Sequence, residues 1–505
     1  MNIAIIGAGF AGLSTAKILK SRGHVVTIYE KEPDVGGVWS ASRRYPGLTT
    51  QNARATYAFS DFPYPDDYPE WPSGEQVQRY LENYARHFDF YQDIRLETLV
   101  MSAELNEAEQ WAIASICSGV TTTETFDYLI VCNGIFSQPF IPNIEGVEAF
   151  VQQGGEILHT SELTCPEIAN GKHVVVIGYG KSACDVAQAV STRAASTTVV
   201  VRELLWKVPK KLMNLLNYKY LLLTRLGEGL FKYRELKGLE RFLHGLGRPI
   251  RDAMLAQVEW IITKQLQLEA LGLMPSKPFE TIARSTVGLA TDGFYKSVSS
   301  GQIQVKKGAA MQRIVSHTSP SEEEPLEGAA VAELSTGDRV SVDLIICGTG
   351  WIQSVPFFSQ NLNEQITDAD GNFRLYRALL PIGVPNLAFN GYNSSFFSQL
   401  SCEIGALWIA SLLSDRLSLP SQEHQQSIVE TRLAWMQQFA EGKHAKGTNI
   451  IPFSLHHIDE LLDDMGLSLP TFVRLKQWLL PVDPRDFAPF TAPLLSDSLS
   501  NEERR

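Results

Sequence analysis

Three glycines and a glutamate near the N-terminus carry the clearest chemical signal in the chain. Gly7, Gly9 and Gly12 form a GxGxxG turn within IAIIGAGFAG, residues 3–12, and Glu30 closes the next β-branched run. Such a turn cradles a pyrophosphate. Its first glycine makes the tight bend, the second lets backbone N–H groups meet the phosphates at a helix N-terminus, and the third lets helix and strand pack closely. A carboxylate about 20 residues past the turn accepts hydrogen bonds from both hydroxyls of an adenosine ribose and repels a 2′-phosphate. These residues predict FAD or NAD rather than NADP.

A second constellation lies at 172–202. KHVVVIGYGKSACD, residues 172–185, supplies Gly178, Gly180 and Ser182, with Ala183 in place of the third glycine. That GxGxxA form is more usual for NADP. The run Thr197 to Val201 then ends on Arg202, where a guanidinium can hold a 2′-phosphate bidentately. Lys207 could add charge there, Trp206 could cover the adenine, and the Lys181 ammonium meets either pyrophosphate or solvent. Two turns predict two nucleotides.

The elements that must position these residues follow from periodicity. Ile3 to Ile6 reads as a buried parallel strand, Leu13 to Arg22 as a helix and His24 to Tyr29 as a second strand, which completes a βαβ unit. Residues 40–72, rich in Pro, Tyr and Asp, read as an irregular segment wrapped over the bound nucleotide, ending where Ser73 caps the helix VQRYLENYARHF. Phe126 to Gly134 and Val342 to Trp351 are strands that run into small-residue turns. Between Lys210 and Arg284 the pattern turns helical and opens with many Lys and Arg among Leu, Tyr and Phe. Such a basic amphipathic surface suits a membrane or an anionic substrate, or is simply the solvated face of outer helices. The acidic loop 321–327 reads as a solvated turn, and the chain beyond Pro420 as helices, a Pro-rich segment and a charged tail without fixed structure.

With 505 residues the chain can bury a large core, and its net charge of −12 argues against nucleic acid as a partner. Its six cysteines form no CxxC pair and no metal-ligand spacing. The first strand begins at Asn2 without a leader pattern, and no apolar run nears the ~20 residues that span a bilayer. The expectation is a cytoplasmic protein.

Several motifs together resemble the flavin-containing monooxygenases, class B flavoproteins that oxygenate nitrogen and sulfur. They are KEPDVGGVW at 31–39, with Gly37 and Trp39; SDFPYPDDYPEW at 60–71; LENYARHFDF at 81–90; the Gly155-xxx-His159 half of a longer fingerprint; and the strand-turn segments named above. The resemblance implies an α/β fold of two interleaved Rossmann-like domains for FAD and NADPH. FAD would take residues 1–160 plus 335–420, and NADPH residues 161–210 plus 285–334. A helical insertion would fill 211–284 and a C-terminal extension 421–505. It implies that NADPH reduces FAD, that dioxygen adds to the reduced flavin as a (hydro)peroxide, and that an amine or sulfide takes the distal oxygen. Placed through Asp61-Phe62-Pro63, the family's active-site Asn falls on Gln51 and its Lys on Arg54, with Asn52 adjacent; Gln51 and Asn52 are the catalytic candidates. Asn390 and Gly391 would lie beside the flavin. His159 is either cofactor-linked or a satisfied polar residue at a domain hinge. A Baeyer–Villiger monooxygenase uses the same scaffold, but would place Trp where Leu163 stands. A flavoprotein-like binding protein without catalysis is the alternative from another class. Peripheral membrane contact through 210–241 is a further expectation.

Overall fold

The computed structural model describes residues 1–283, 288–315, 330–439 and 445–492. The acidic loop 321–327 and the charged tail lie outside the described residues.

Two five-stranded sheets, both wholly parallel, organise the chain. In the first the order is Leu387–Phe389, Tyr128–Val131, Asn2–Ile6, Val25–Tyr29 and Ile94–Arg95. In the second it is Gln304–Lys307, Ser196–Val201, His173–Ile177, Leu344–Cys347 and Glu156–His159. Each central strand is apolar because a parallel sheet is covered on both faces. Ile3 to Ile6 and Val174 to Val176 are all buried. Each sheet also sends out a three-stranded antiparallel meander before its return strand: Thr98–Leu105, Trp111–Cys117 and Val120–Phe126 in the first, Met311–Val315, Ala330–Leu334 and Arg339–Val342 in the second. The helix Phe10–Ser21 packs on the apolar helix Ser398–Leu413. Ser73 does cap the helix Gly74–His87, in a reciprocal capping box with Gln76.

The boundaries drawn at 160 and 335 cut through the second sheet. Glu156–His159 pairs with Leu344–Cys347, so both strands belong there. The chain crosses between the sheets at Gln138–Pro139 and returns at Trp351–Ile352, and these two crossings pair antiparallel. Short crossing strands carry no periodicity of their own, so a sequence motif places the neighbouring turn and not the crossing.

The insertion is not helical throughout. It opens on a hairpin, Lys211–Leu212 with Leu216–Asn217, before the helices Arg225–Gly229, Gly238–Leu243 and Arg248–Gln265. Its basic residues also differ from expectation, because several point inward to acids instead of forming an outer face. Lys219 pairs with Glu70 at 2.9 Å, Arg225 with Asp459 at 2.6 Å and Arg234 with Glu460 at 2.5 Å. His456 sits between Glu228 and Glu240, at 2.5 and 2.9 Å, and those bonds outweigh burial to push its pKa up to about 10. The pairs with Asp459 and Glu460 and those of His456 clamp the insertion to the C-terminal extension, and Lys219 ties it to the segment before Ser73. Among the described residues, no helix is long and apolar enough to cross a membrane.

Candidate functional site

The first glycine turn sits where the strand Asn2–Ile6 passes into the helix Phe10–Ser21. Gly7 has φ +110°, and a Cβ there would lie 2.4 Å from the Cys132 carbonyl oxygen. A Cβ on Gly12 would lie 1.8 Å from the Gly7 carbonyl oxygen, so the helix can start this close to the turn only without a side chain. Gly9 faces Gly37, whose Cα is 3.7 Å from the space a Gly9 Cβ would take. These two glycines make a flat wall.

That wall belongs to a cavity of about 320 Å³ lined by Gly7, Gly9, Glu30, Gly37, Trp39, Arg43 and Tyr57 at the turn and by Asn133, Gly391, Asn393, Ser394, Ser398, Gln399 and Cys402 across from it. Glu30 is buried and locks the turn: its Oε2 accepts from the Ala8 N–H at 2.8 Å and its Oε1 from the Glu32 N–H at 3.0 Å. Burial raises its pKa against those two bonds. Each oxygen keeps a further lone pair for a ligand hydroxyl. Gly12 is a packing residue behind the wall.

Three expected site residues stand elsewhere than anticipated. Asn390 is fully buried but does not line the cavity. Its Nδ2 donates to Thr15 Oγ1 and to the Cys402 carbonyl, both at 2.9 Å, and its Oδ1 accepts from the Gly391 N–H. Neither Gln51 nor Asn52 lines it either. Gln51 is exposed, and its Oε1 accepts from the Leu289 N–H at 3.1 Å across the seam between the sheets. Asn52 is buried; its Nδ2 donates to the Phe396 carbonyl at 2.5 Å and its Oδ1 accepts from the Tyr218 hydroxyl at 3.1 Å. Asn52 therefore braces the insertion against the loop that carries Asn393 and Ser394 to the cavity.

The second turn repeats the first with one exchange. Gly178 has φ +121°, and a Cβ there would lie 2.4 Å from the Gly348 carbonyl oxygen. Here the helix Lys181–Val190 carries the methyl of Ala183, and the residue after the return strand is Gly348, whereas the first turn has Gly12 on the helix and Cys132 after the strand. A Cβ on Gly348 would lie 2.5 Å from the Ala183 Cβ. Gly180 has open space in front of it, and Ser182 stands in the first turn of the helix. Arg202 is exposed just past Val201, at the strand end. Lys181 is not free: it pairs with Asp185, which also accepts from Thr291 and, at 3.0 Å, from the Tyr45 hydroxyl of the first unit.

Trp206 and Lys207 do not join Arg202. Trp206 is buried edge-on to Phe279 and donates to the Lys277 carbonyl at 2.8 Å. Lys207 is buried over the Tyr179 ring at 5.6 Å, and desolvation lowers its pKa. His159 is a satisfied hinge residue. The Ser161 N–H donates to its Nδ1 at 3.2 Å, which leaves Nε2 to donate to the Gly350 carbonyl at 3.1 Å, and burial lowers its pKa. The six cysteines are all free thiols.

The sequence reading missed Gln399, Tyr57, Arg43 and Asn133. Gln399 had a signal: it is a polar residue in the first turn of a largely apolar, buried helix.

Two parallel sheets, each with a glycine turn at the carboxyl end of its central strand, define a protein built to hold two dinucleotides. The chain belongs to the flavin-binding monooxygenase-like family, whose description matches residues 1–476. It is thus an enzyme of the flavin monooxygenases. A probable flavin-containing monooxygenase 1 of Arabidopsis thaliana is 27% identical over 92% of this chain and 92% of its own. S-allyl-L-cysteine S-oxygenase from Allium sativum superposes with a TM-score of 0.61 at 21% identity, covering 100% of this chain and 97% of its own. OTEMO in complex with FAD and NADP gives 0.65 at 19% identity, covering 88% and 91%.

Proposed function

We propose that the chain is an FAD- and NADPH-dependent monooxygenase that transfers one oxygen atom from dioxygen to a soft nucleophile, an amine nitrogen or a sulfide sulfur. The observation that carries this reading is the contrast between the two strand ends: buried Glu30 on the cavity wall beside the first turn, exposed Arg202 beside the second. An acid selects an unphosphorylated ribose, as in FAD, and a guanidinium a 2′-phosphate, as in NADPH. The residues present fit FAD: the Gly9–Gly37 wall is flat where a pyrophosphate must approach, and buried amides across the cavity have unmet hydrogen bonds. The bound nucleotides would supply hydride transfer and the activation of dioxygen.

The chain's own residues bind, orient and keep water out. The α-helical N-terminus after Gly9 and the Glu30 carboxylate hold the FAD diphosphate and ribose; Gly178, Gly180, Ser182 and Arg202 do the same for NADPH. Asn52, gripped from both sides, closes the wall between the insertion and the cavity loop, and Gln51 ties its own segment, 40–72, to the second unit at Leu289. The Baeyer–Villiger alternative is disfavoured at Leu163, which is buried in the apolar core of the second sheet.

The test is NADPH consumption, with hydrogen peroxide measured in parallel, against panels of amines, sulfides and ketones. Coupled turnover with amines or sulfides is expected. Turnover only with ketones, or none that needs both FAD and NADPH, would overturn the reading.

A further inference from the structure

Two side chains on the cavity wall are unexplained by anything above. Asn393 is 3% exposed and Gln399 1% exposed. Among the described residues, all four of their amide atoms, Nδ2, Oδ1, Nε2 and Oε1, lack a hydrogen bond. The Gln399 amide is near enough to the Tyr57 hydroxyl for a hydrogen-bond contact that opposes burial in raising the tyrosine's pKa, but the contact falls short of full hydrogen-bond geometry. Leaving a buried polar group unsatisfied costs roughly 1–3 kcal/mol, so two amides facing one cavity represent stability the free protein gives up. Both residues line the cavity, as does Ser398, the first residue of the helix Ser398–Leu413. That helix has no side-chain cap, so the N–H groups of its first turn have no side-chain partner there.

We propose that Asn393, Gln399 and the uncapped start of this helix form the seat that reads the imide edge of the FAD ring system. The reasoning is a count of donors and acceptors. Each amide offers an NH₂ and a carbonyl, and both are unmet. A pyrophosphate only accepts, so it would satisfy the nitrogens and leave Oδ1 and Oε1 unpaired. The imide edge of the isoalloxazine presents a carbonyl, an N–H and a second carbonyl in a row. It meets amide nitrogens, an amide oxygen and helix N–H groups together. The inference rests on the FAD reading above.

The test separates a ligand-facing amide from a structural one. Gln399→Met and Asn393→Leu keep volume and remove hydrogen-bonding capacity. FAD uptake by the apoprotein, followed by fluorescence quenching, should weaken about tenfold for each variant, the loss expected of one hydrogen bond. The melting temperature of either apoprotein should be equal to or above wild type, because an unmet amide has been replaced by a well-packed apolar group. Wild type should also prefer FAD over 3-methyl-FAD, which lacks the imide N–H, and Gln399→Met should shrink that preference. Ribityl hydroxyls as the true partners would leave the preference unchanged and overturn the proposal. Unchanged FAD affinity in both variants, or a lower apoprotein melting temperature with unchanged affinity, would overturn it as well. If an apolar variant does not fold, Gln399→Glu at pH 8 keeps the shape but cannot donate; it should still weaken FAD, and wild-type affinity there refutes the assignment. Failure of wild type to take up FAD at all would instead refute the functional reading, and the proposal with it.

Discussion

Gly348→Ala probes the second turn, because the turn's geometry depends on where a single methyl group stands. The new Cβ would lie 2.5 Å from the Ala183 Cβ and 3.0 Å from its Cα. Unbonded carbons rest at about 3.5–4.0 Å, so roughly 1 Å must be found by moving the helix Lys181–Val190 off the sheet. Overpacking of this kind costs about 1–3 kcal/mol. The element that moves carries the N–H groups proposed to hold the NADPH phosphates, so NADPH affinity should fall by about five- to 150-fold, the same free energy expressed as binding. Ala183→Gly alone removes the methyl and costs about 1 kcal/mol in helix propensity. The double variant recreates the arrangement of the first turn, a glycine on the helix and a Cβ after the strand. It should bind NADPH better than Gly348→Ala alone, with a coupling of about 1–3 kcal/mol. Titration of NADPH fluorescence reads all four proteins, and FAD content serves as the internal control, since the first turn has its own sheet. If the two substitutions simply add, contact between Gly348 and Ala183 does not set the turn and the reasoning fails.

Three further outcomes follow from the same structure. Arg202→Ala should lower the ratio of kcat/KM for NADPH over NADH by the ~1.5–3 kcal/mol of a charge-assisted hydrogen bond; an unchanged ratio places the 2′-phosphate elsewhere. His456→Gln should destabilise the clamp between insertion and C-terminal extension by about 3–5 kcal/mol, as for one partner of a buried ion pair. The folded pKa of His456 is about 10, above the unfolded value of about 6.5, so its contribution is full below the unfolded value and lost as pH rises through the folded one. The gap in melting temperature to wild type should be widest near pH 6 and narrow toward pH 10, and a gap that widens contradicts it. Asn52→Ala, which breaks bonds to Phe396 and Tyr218, should release more hydrogen peroxide per NADPH than Gln51→Ala, and the reverse order would restore Gln51 as the working amide.

Much of the first unit was legible in the sequence, because a buried parallel strand, a glycine turn and a closing acid each follow from one local constraint. Ile3–Ile6, Gly7 to Gly12 and Glu30 stand where those constraints put them. The strand-and-turn at 172–185 was equally plain. What escaped was set by contacts between distant segments. Lys207 and Trp206 lie close to Arg202 in sequence, yet Lys207–Val208 pairs with the distant Gly288–Leu289 and Trp206 packs on Phe279, so both are drawn into the core. Asn390 sits beside the cavity in sequence terms, but its amide is consumed by Thr15 and Cys402. The charges of the insertion looked like an outer face because their acids, Glu70, Asp459 and Glu460, are far away along the chain.

The interleaving of the two units has a consequence for where control over the chemistry resides. The first sheet is completed only by Leu387–Phe389, which follows every strand of the second sheet along the chain, so the chain must cross twice, and the two crossings pair with each other. Each glycine turn is fixed by its own sheet and knows nothing of the other. Their mutual position is instead held by contacts across the seam, which include Gln138–Pro139 on Trp351–Ile352, His159 on Gly350, Tyr45 on Asp185, Gln51 on Leu289 and the packing of Tyr45 and Leu48 into the core of the second sheet. Hydride transfer is steeply sensitive to the placement of its two partners. Substitutions in these seam residues should therefore disturb the rate of transfer between two nucleotides that are each still bound, whereas substitutions in the turns disturb binding itself.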